Sequence, residues 1–163
     1  MSMRVGFYQF APKLGNKNYN LGKVAKILEE NQLDLLVLPE LFTTGYAFES
    51  FDELYTVSEP IDGPTAHLLA KFARSKNMVI VGGFAERSLG RVYNSALIVT
   101  PHSIHVYRKI HLFYKEKELF VPGDGPLIPY EANGWRLGVI ICFDWLFPEA
   151  CLLYTSPSPR DRG

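Results

Sequence analysis

Two cysteines in 163 residues, Cys142 and Cys151, are too few for a disulfide framework, so reduced thiols in a cytoplasmic setting are expected. An excess of either charge is also missing. Seventeen basic side chains balance 17 acidic ones, which gives no reason to expect nucleic acid or an anionic membrane as partner. No apolar run approaches the length needed to cross a bilayer. The opening "MSMRVGFYQFAP" has one Arg and a short apolar run before a Pro, which does not make a signal peptide. Internal repeats and interdomain linkers are absent. Histidine is scarce: His67 lies in a helical stretch, and His102, His105 and His111 follow one strand and its exit without Cys or paired carboxylates beside them. No metal site is expected. What is present is the composition of one soluble globular domain, 47% hydrophobic.

The chain opens with a short β-rich run, "MRVGFYQFAP", stopped by Pro12. In "NYNLGKVAKILEENQ", Leu21, Val24, Ile27 and Leu28 share one helical face, and Asn18 or Asn20 is the candidate cap. "DLLVLPE" reads as a strand buried on both faces that ends at Pro39-Glu40. A Thr-, Gly- and aromatic-rich loop around Thr43 to Phe48 precedes a second helix, "GPTAHLLAKFARSKN", with Pro64 in its first turn. "MVIVGGFAE", "RVYNSALIVT" and "SIHVYRKIH" read as strands, the last two as an antiparallel pair joined through Thr100-Pro101. A charged turn "YKEKEL" leads to "PLIPY" and to the apolar strand "WRLGVIICF". Strand, helix, strand, helix and then several strands in succession predict an α/β fold with a mixed sheet.

Three of these strands deliver a reactive group at the carboxyl end, where α/β sheets build their sites: Glu40, Lys109 and Cys142. Taken singly, a solvated acid, a surface lysine and a buried thiol acting as a small hydrophobe are the commoner readings. Their convergence favours chemistry.

The segments "VLPELF", "YRKIHLF" and "VIICFDWLFPEA" resemble the three signatures of the nitrilase superfamily of carbon–nitrogen hydrolases, and "EKELFVPGD" resembles the segment that supplies its second glutamate, Glu116. The likeness runs from about Arg4 to Ala150. It implies an αββα sandwich and a cysteine-dependent route through a thioester. Cys142 attacks the carbonyl, an amine leaves, and water hydrolyses the acyl-enzyme, with no metal or organic cofactor. A carboxylate in a closed, partly apolar pocket has its proton affinity raised, which suits Glu40 to general base and acid work. Lys109 and the backbone N–H of Phe143 would hold the oxyanion, and Glu116 would orient Lys109 and the substrate nitrogen. A small-molecule amide partner and a homo-oligomer are implied with the rest.

Nitrilases of the superfamily usually follow the cysteine with Trp-Glu, whereas Phe143-Asp144-Trp145 is closer to the amidase and carbamoylase branches. An amide or N-carbamoyl substrate is therefore expected in preference to a nitrile. Phe42, Tyr46, Phe113, Phe143 and Trp145 are the candidates to line its pocket. Two other readings stay open: acyl transfer to an amine through the same thioester, and a non-catalytic α/β domain in which Cys142 is structural. After "FPEA" the family continues with a helix and further strands. Here "CLLYTSPSPRDRG" loses all periodicity from about Tyr154, and Pro157 and Pro159 oppose a helix. Residues 1–150 are thus expected to be the amino-terminal part of the hydrolase domain, incomplete at its carboxyl end and inactive by itself. Residues 151–163 are expected to be a tail foreign to the domain.

Overall fold

The computed structural model describes residues 2–155. Five strands form one sheet in chain order: β1 (Val5–Phe7), β2 (Leu35–Val37), β3 (Val79–Ser88), β4 (Arg91–Val99) and β5 (Ile104–Arg108). The first three run parallel, because helical crossovers return the chain to the same edge: α1 (Lys17–Glu30) between β1 and β2, then α2 (Phe51–Val57) and α3 (Pro64–Lys76) between β2 and β3. The β3–β4 and β4–β5 pairs are antiparallel. Leu89 and Gly90 turn the first of these hairpins with both φ angles positive (50° and 75°), the geometry that matches strand twist. A four-residue helix α4 (Glu116–Leu119) follows, then a two-stranded hairpin of β6 (Tyr130–Ala132) and β7 (Trp135–Leu137), and finally α5 (Pro148–Thr155).

Helices α1 and α3 cover one face of the sheet. Val24 and Leu28 of α1 and Ala66, Leu69 and Ala73 of α3 pack on Leu36, Ile80, Phe84, Leu97 and Val99. Phe42, a candidate pocket residue, is instead fully buried in this core. The cap of α1 also differs. Helix geometry begins at Lys17, so Asn16 is the residue placed to accept from Tyr19 N (3.1 Å). Asn20 instead lies inside the helix, where its amide donates to the carbonyls of Lys13 and Thr43 and ties α1 to the loop after β2. Helix α2, capped by Ser50, was not legible as a helix. Leu54 is its one buried residue, with Tyr55 and Val57 packed partly beside it, and seven residues are too few to show periodicity.

The opposite face is where the sequence reading needs its main correction. Residues 138–141 do not pair into a ladder; they lie across the sheet rather than within it. Val139 and Ile141 pack on Ala96, Ile98 and Tyr107, and Ala132 packs on Leu35 and Val79. An apolar run buried from one side satisfies the same composition as a strand buried from two. The cover stops short of the β1 edge, where Phe7 is 80% exposed and Val5 and Val37 also face solvent. Helix α5 crosses the boundary expected at residue 150, whereas Pro157 and Pro159 lie outside the described residues. No helix among the described residues is long and apolar enough to cross a membrane.

Candidate active site

Glu40 is placed by the backbone around it. The chain leaving β2 folds back on β3, with Gly83 N donating to Pro39 O (3.1 Å) and Phe42 N to Gly83 O (2.9 Å). Between them Leu41 takes a left-handed φ of 49°. The approach requires a glycine: a Cβ on Gly83 would stand 2.5 Å from Leu41 N and 2.7 Å from Glu40 Cα.

Lys109 is the first residue past β5 and is 1% exposed. Its N–H donates to Asn94 O, and its carbonyl accepts from Gly123 N, both at 2.8 Å. Two carboxylates meet its ammonium: Glu40 Oε1 at 2.8 Å, and Glu116 through Oε1 at 2.9 Å and Oε2 at 2.8 Å. Glu116 opens α4 and is itself buried, its Oε2 accepting from Phe113 N (2.6 Å). Burial alone would push the lysine down. Hydrogen bonds to Glu116 and Glu40, with their charges, outweigh it and hold Lys109 above the ordinary lysine value.

Cys142 begins a 3₁₀ turn (Cys142–Leu146) with φ at 42°, a left-handed corner that exposes the residue. Partial burial raises its thiol above the ordinary value. The Glu40 charge and a hydrogen bond to Glu40 raise it further, Glu116 adds to this, and Lys109 opposes. One cation between two anions thus holds the thiol above its ordinary value, beside the Glu40 carboxylate.

The corner is braced by Asp144, which is fully buried. Its Oδ2 accepts from Tyr107 Oη (2.7 Å) and Ile141 N (3.0 Å). Its Oδ1 accepts from His111 N and the His111 ring Nδ1, both at 2.9 Å. The turn carrying Cys142 and the loop carrying Lys109 therefore share one carboxylate. Burial and Asp144 together push the Tyr107 phenol well above its usual range. His111 stacks on Phe147 with ring centres 3.6 Å apart, a role that its spacing in the sequence does not reveal. The available signal was an aspartate in an apolar run, which needs buried donors.

Of the four pocket candidates that remain besides Phe42, Tyr46 and Phe113 line a cavity of about 320 Å³ together with Glu116, Phe48, Leu119 and Phe120. The Tyr46 phenol is raised far above its ordinary value, first by burial, then by the charges of Glu116 and Glu40 and a hydrogen bond to Glu116. Phe143 tilts against Phe113 with ring centres 5.0 Å apart. Trp145 stands apart: it is 62% exposed, and its carbonyl accepts from the Cys151 thiol (3.1 Å). Glu40, Lys109, Glu116 and Cys142 thus form one cluster, with Tyr46 against it.

The family model for carbon–nitrogen hydrolases matches residues 4–158. A protein named nitrilase from Pyrococcus abyssi is 40% identical over 153 residues, covering 91% of this chain and 58% of its own length. An (R)-stereoselective amidase from Pseudomonas is 36% identical over 150 residues, covering 90% of this chain and 54% of its own. Among solved structures, a carbon–nitrogen hydrolase superfamily protein from Xanthomonas campestris superposes with a TM-score of 0.81 at 30% identity, over 91% of this chain and 56% of that one. The chain spans a little over half the length of each.

Proposed function

The chain belongs to the carbon–nitrogen hydrolase family, and from that premise we propose that its domain hydrolyses a small carboxamide or N-carbamoyl compound through a thioester on Cys142. The observation that carries the proposal is the Lys109 ammonium, held 2.8 Å from both Glu40 and Glu116 beside the Cys142 thiol. Activity is a property of the whole domain, meaning this chain together with the rest of the length its relatives have.

Glu40 takes the thiol proton as Cys142 Sγ bonds to the carbonyl carbon, and the carbonyl electron pair moves to oxygen. Lys109 and the Phe143 N–H face that developing charge. Collapse of the intermediate breaks the carbon–nitrogen bond, and the proton held by Glu40 goes to the departing amine. Water then gives a proton to Glu40 and its oxygen to the thioester carbon. The carbon–sulfur bond breaks, and the thiolate recovers the proton. Glu116 keeps Lys109 in place through both halves. The cavity beside Glu116, walled by Tyr46 and Phe113, would take the substrate's apolar part.

Phe143-Asp144-Trp145 after the nucleophile favours amides over nitriles. In a panel of carboxamides, N-carbamoyl compounds and nitriles, the whole domain is expected to release ammonia from amides or N-carbamoyl compounds and little from nitriles. Faster turnover of nitriles than of every amide would overturn the substrate class. The 163-residue chain serves as the second arm. With Cys142 exposed and Val5, Phe7 and Val37 uncovered, it is expected to melt without a sharp transition and to turn over nothing. A cooperative melt together with amidase turnover would contradict that expectation.

A further inference from the structure

Glu40 and Glu116 pose a problem that Lys109 alone does not solve. Two carboxylates converge on one buried ammonium, so one negative charge is left over, and like charges at such separation repel strongly where water is scarce. A second set of donors is present. Asn94, in β4, is 1% exposed and gives its side-chain amide to both acids: Nδ2 lies 2.7 Å from Glu40 Oε1 and 2.8 Å from Glu116 Oε1. Its two amide hydrogens match the two acceptors.

The orientation of the amide is informative. Asn94 Oδ1 is buried without a hydrogen bond among the described residues. Turning the amide over would put that oxygen against two carboxylates, so the donor side is the one the acids demand. The main chain adds a third link, since Asn94 O accepts from Lys109 N at 2.8 Å, the first bond past the β4–β5 ladder that ends at Ser95 and Arg108. One residue therefore contacts the base, its partner acid and the lysine between them.

We propose that Asn94 is a positioning residue, which holds Glu40 and Glu116 at a fixed separation around Lys109 and so keeps Glu40 against the Cys142 thiol. This rests on the reading of Glu40, Lys109, Glu116 and Cys142 as the reacting set. Nothing in the motifs around those four residues points to Asn94. It sits in the middle of "RVYNSALIVT", where a polar residue in a strand otherwise buried along its length needs an explanation.

The test reads the thiol rather than turnover. In the whole domain, the iodoacetamide rate at Cys142 is followed against pH in the parent and in Glu40→Gln, Asn94→Leu, Asn94→Ala and the Glu40→Gln/Asn94→Leu double variant. Glu40 raises the thiol by its charge and its hydrogen bond, so Glu40→Gln moves the profile to lower pH. Asn94→Leu, which keeps the volume and removes both donors, frees Glu40 and is expected to move the profile the same way. The shift should be smaller, roughly half a pH unit, or about threefold faster alkylation at neutral pH. In the double variant no further shift is expected, because the Asn94 effect passes through Glu40. Should the leucine variant fail to fold, Asn94→Ala decides. An Asn94 profile that matches the parent, or an additive double variant, overturns the inference while leaving the reading of the four residues intact. A Glu40→Gln profile that does not move overturns both.

Discussion

Replacing Cys142 by alanine is expected to abolish amide hydrolysis in the whole domain, a loss on the order of 10⁴-fold or more, as for other removed nucleophiles. The fold should hardly notice. The side chain is exposed and fills no core cluster, so the change in stability should stay within about 0.5 kcal/mol, the usual range for surface substitutions. The left-handed φ of 42° is strained for cysteine and alanine alike, so it does not distinguish the two. The variant should therefore melt as the parent does and still bind substrate, while releasing no ammonia. Near-parental turnover would remove the thioester route. A rate lost together with the melt would mean that Cys142 is structural after all, one of the readings that the sequence left open.

Lys109→Met should have the second-largest effect, on two quantities at once. The ammonium is buried between Glu40 and Glu116, so its removal leaves two neighbouring carboxylates without their cation. Breaking a buried ion pair from one side typically costs about 3–5 kcal/mol. Hydrolysis should fall by at least the 10²–10³-fold typical of a lost oxyanion donor. The pH dependence separates this account from a simple packing defect. Lys109 is held above its ordinary value, so its contribution to stability is fully present below the unfolded-state value, including neutral pH. It fades only as pH rises through the raised folded-state value. In Lys109→Met that contribution is gone, so the deficit should be full at neutral pH and shrink only in alkali, as the parent's Lys109 gives up its proton. Thermal melts of both proteins from neutral to alkaline pH check this. A deficit constant with pH would show that the methionine merely packs badly.

The residues of the candidate site were more legible in the sequence than the structure that holds them. Glu40, Lys109, Glu116 and Cys142 stand in short segments whose order identifies the family, and chemistry constrains such segments directly. The path of the chain into Cys142 was not legible, because "LGVII" has the same composition whether it pairs in a sheet or lies across one. Asn94 and His111 were missed for a different reason. Each acts through a partner distant in sequence, Asn94 on Glu40 across 54 residues and His111 on Asp144 across 33. A polar residue in an apolar strand announces that a partner exists but not which one. Phe42 illustrates the converse, an aromatic two residues past Glu40 that proves to be core.

The central claim is that Cys142 carries the acyl group between the two halves of the reaction. The most direct test mixes the whole domain with a carboxamide that it turns over, quenches in acid within the first turnover, and weighs the intact protein and its peptides. The account requires a mass increase equal to the acyl group on the peptide bearing Cys142, appearing with one equivalent of released amine and decaying as the acid product forms. Release of a full equivalent of amine with no adduct on that peptide, or with the adduct on Cys151, would contradict it.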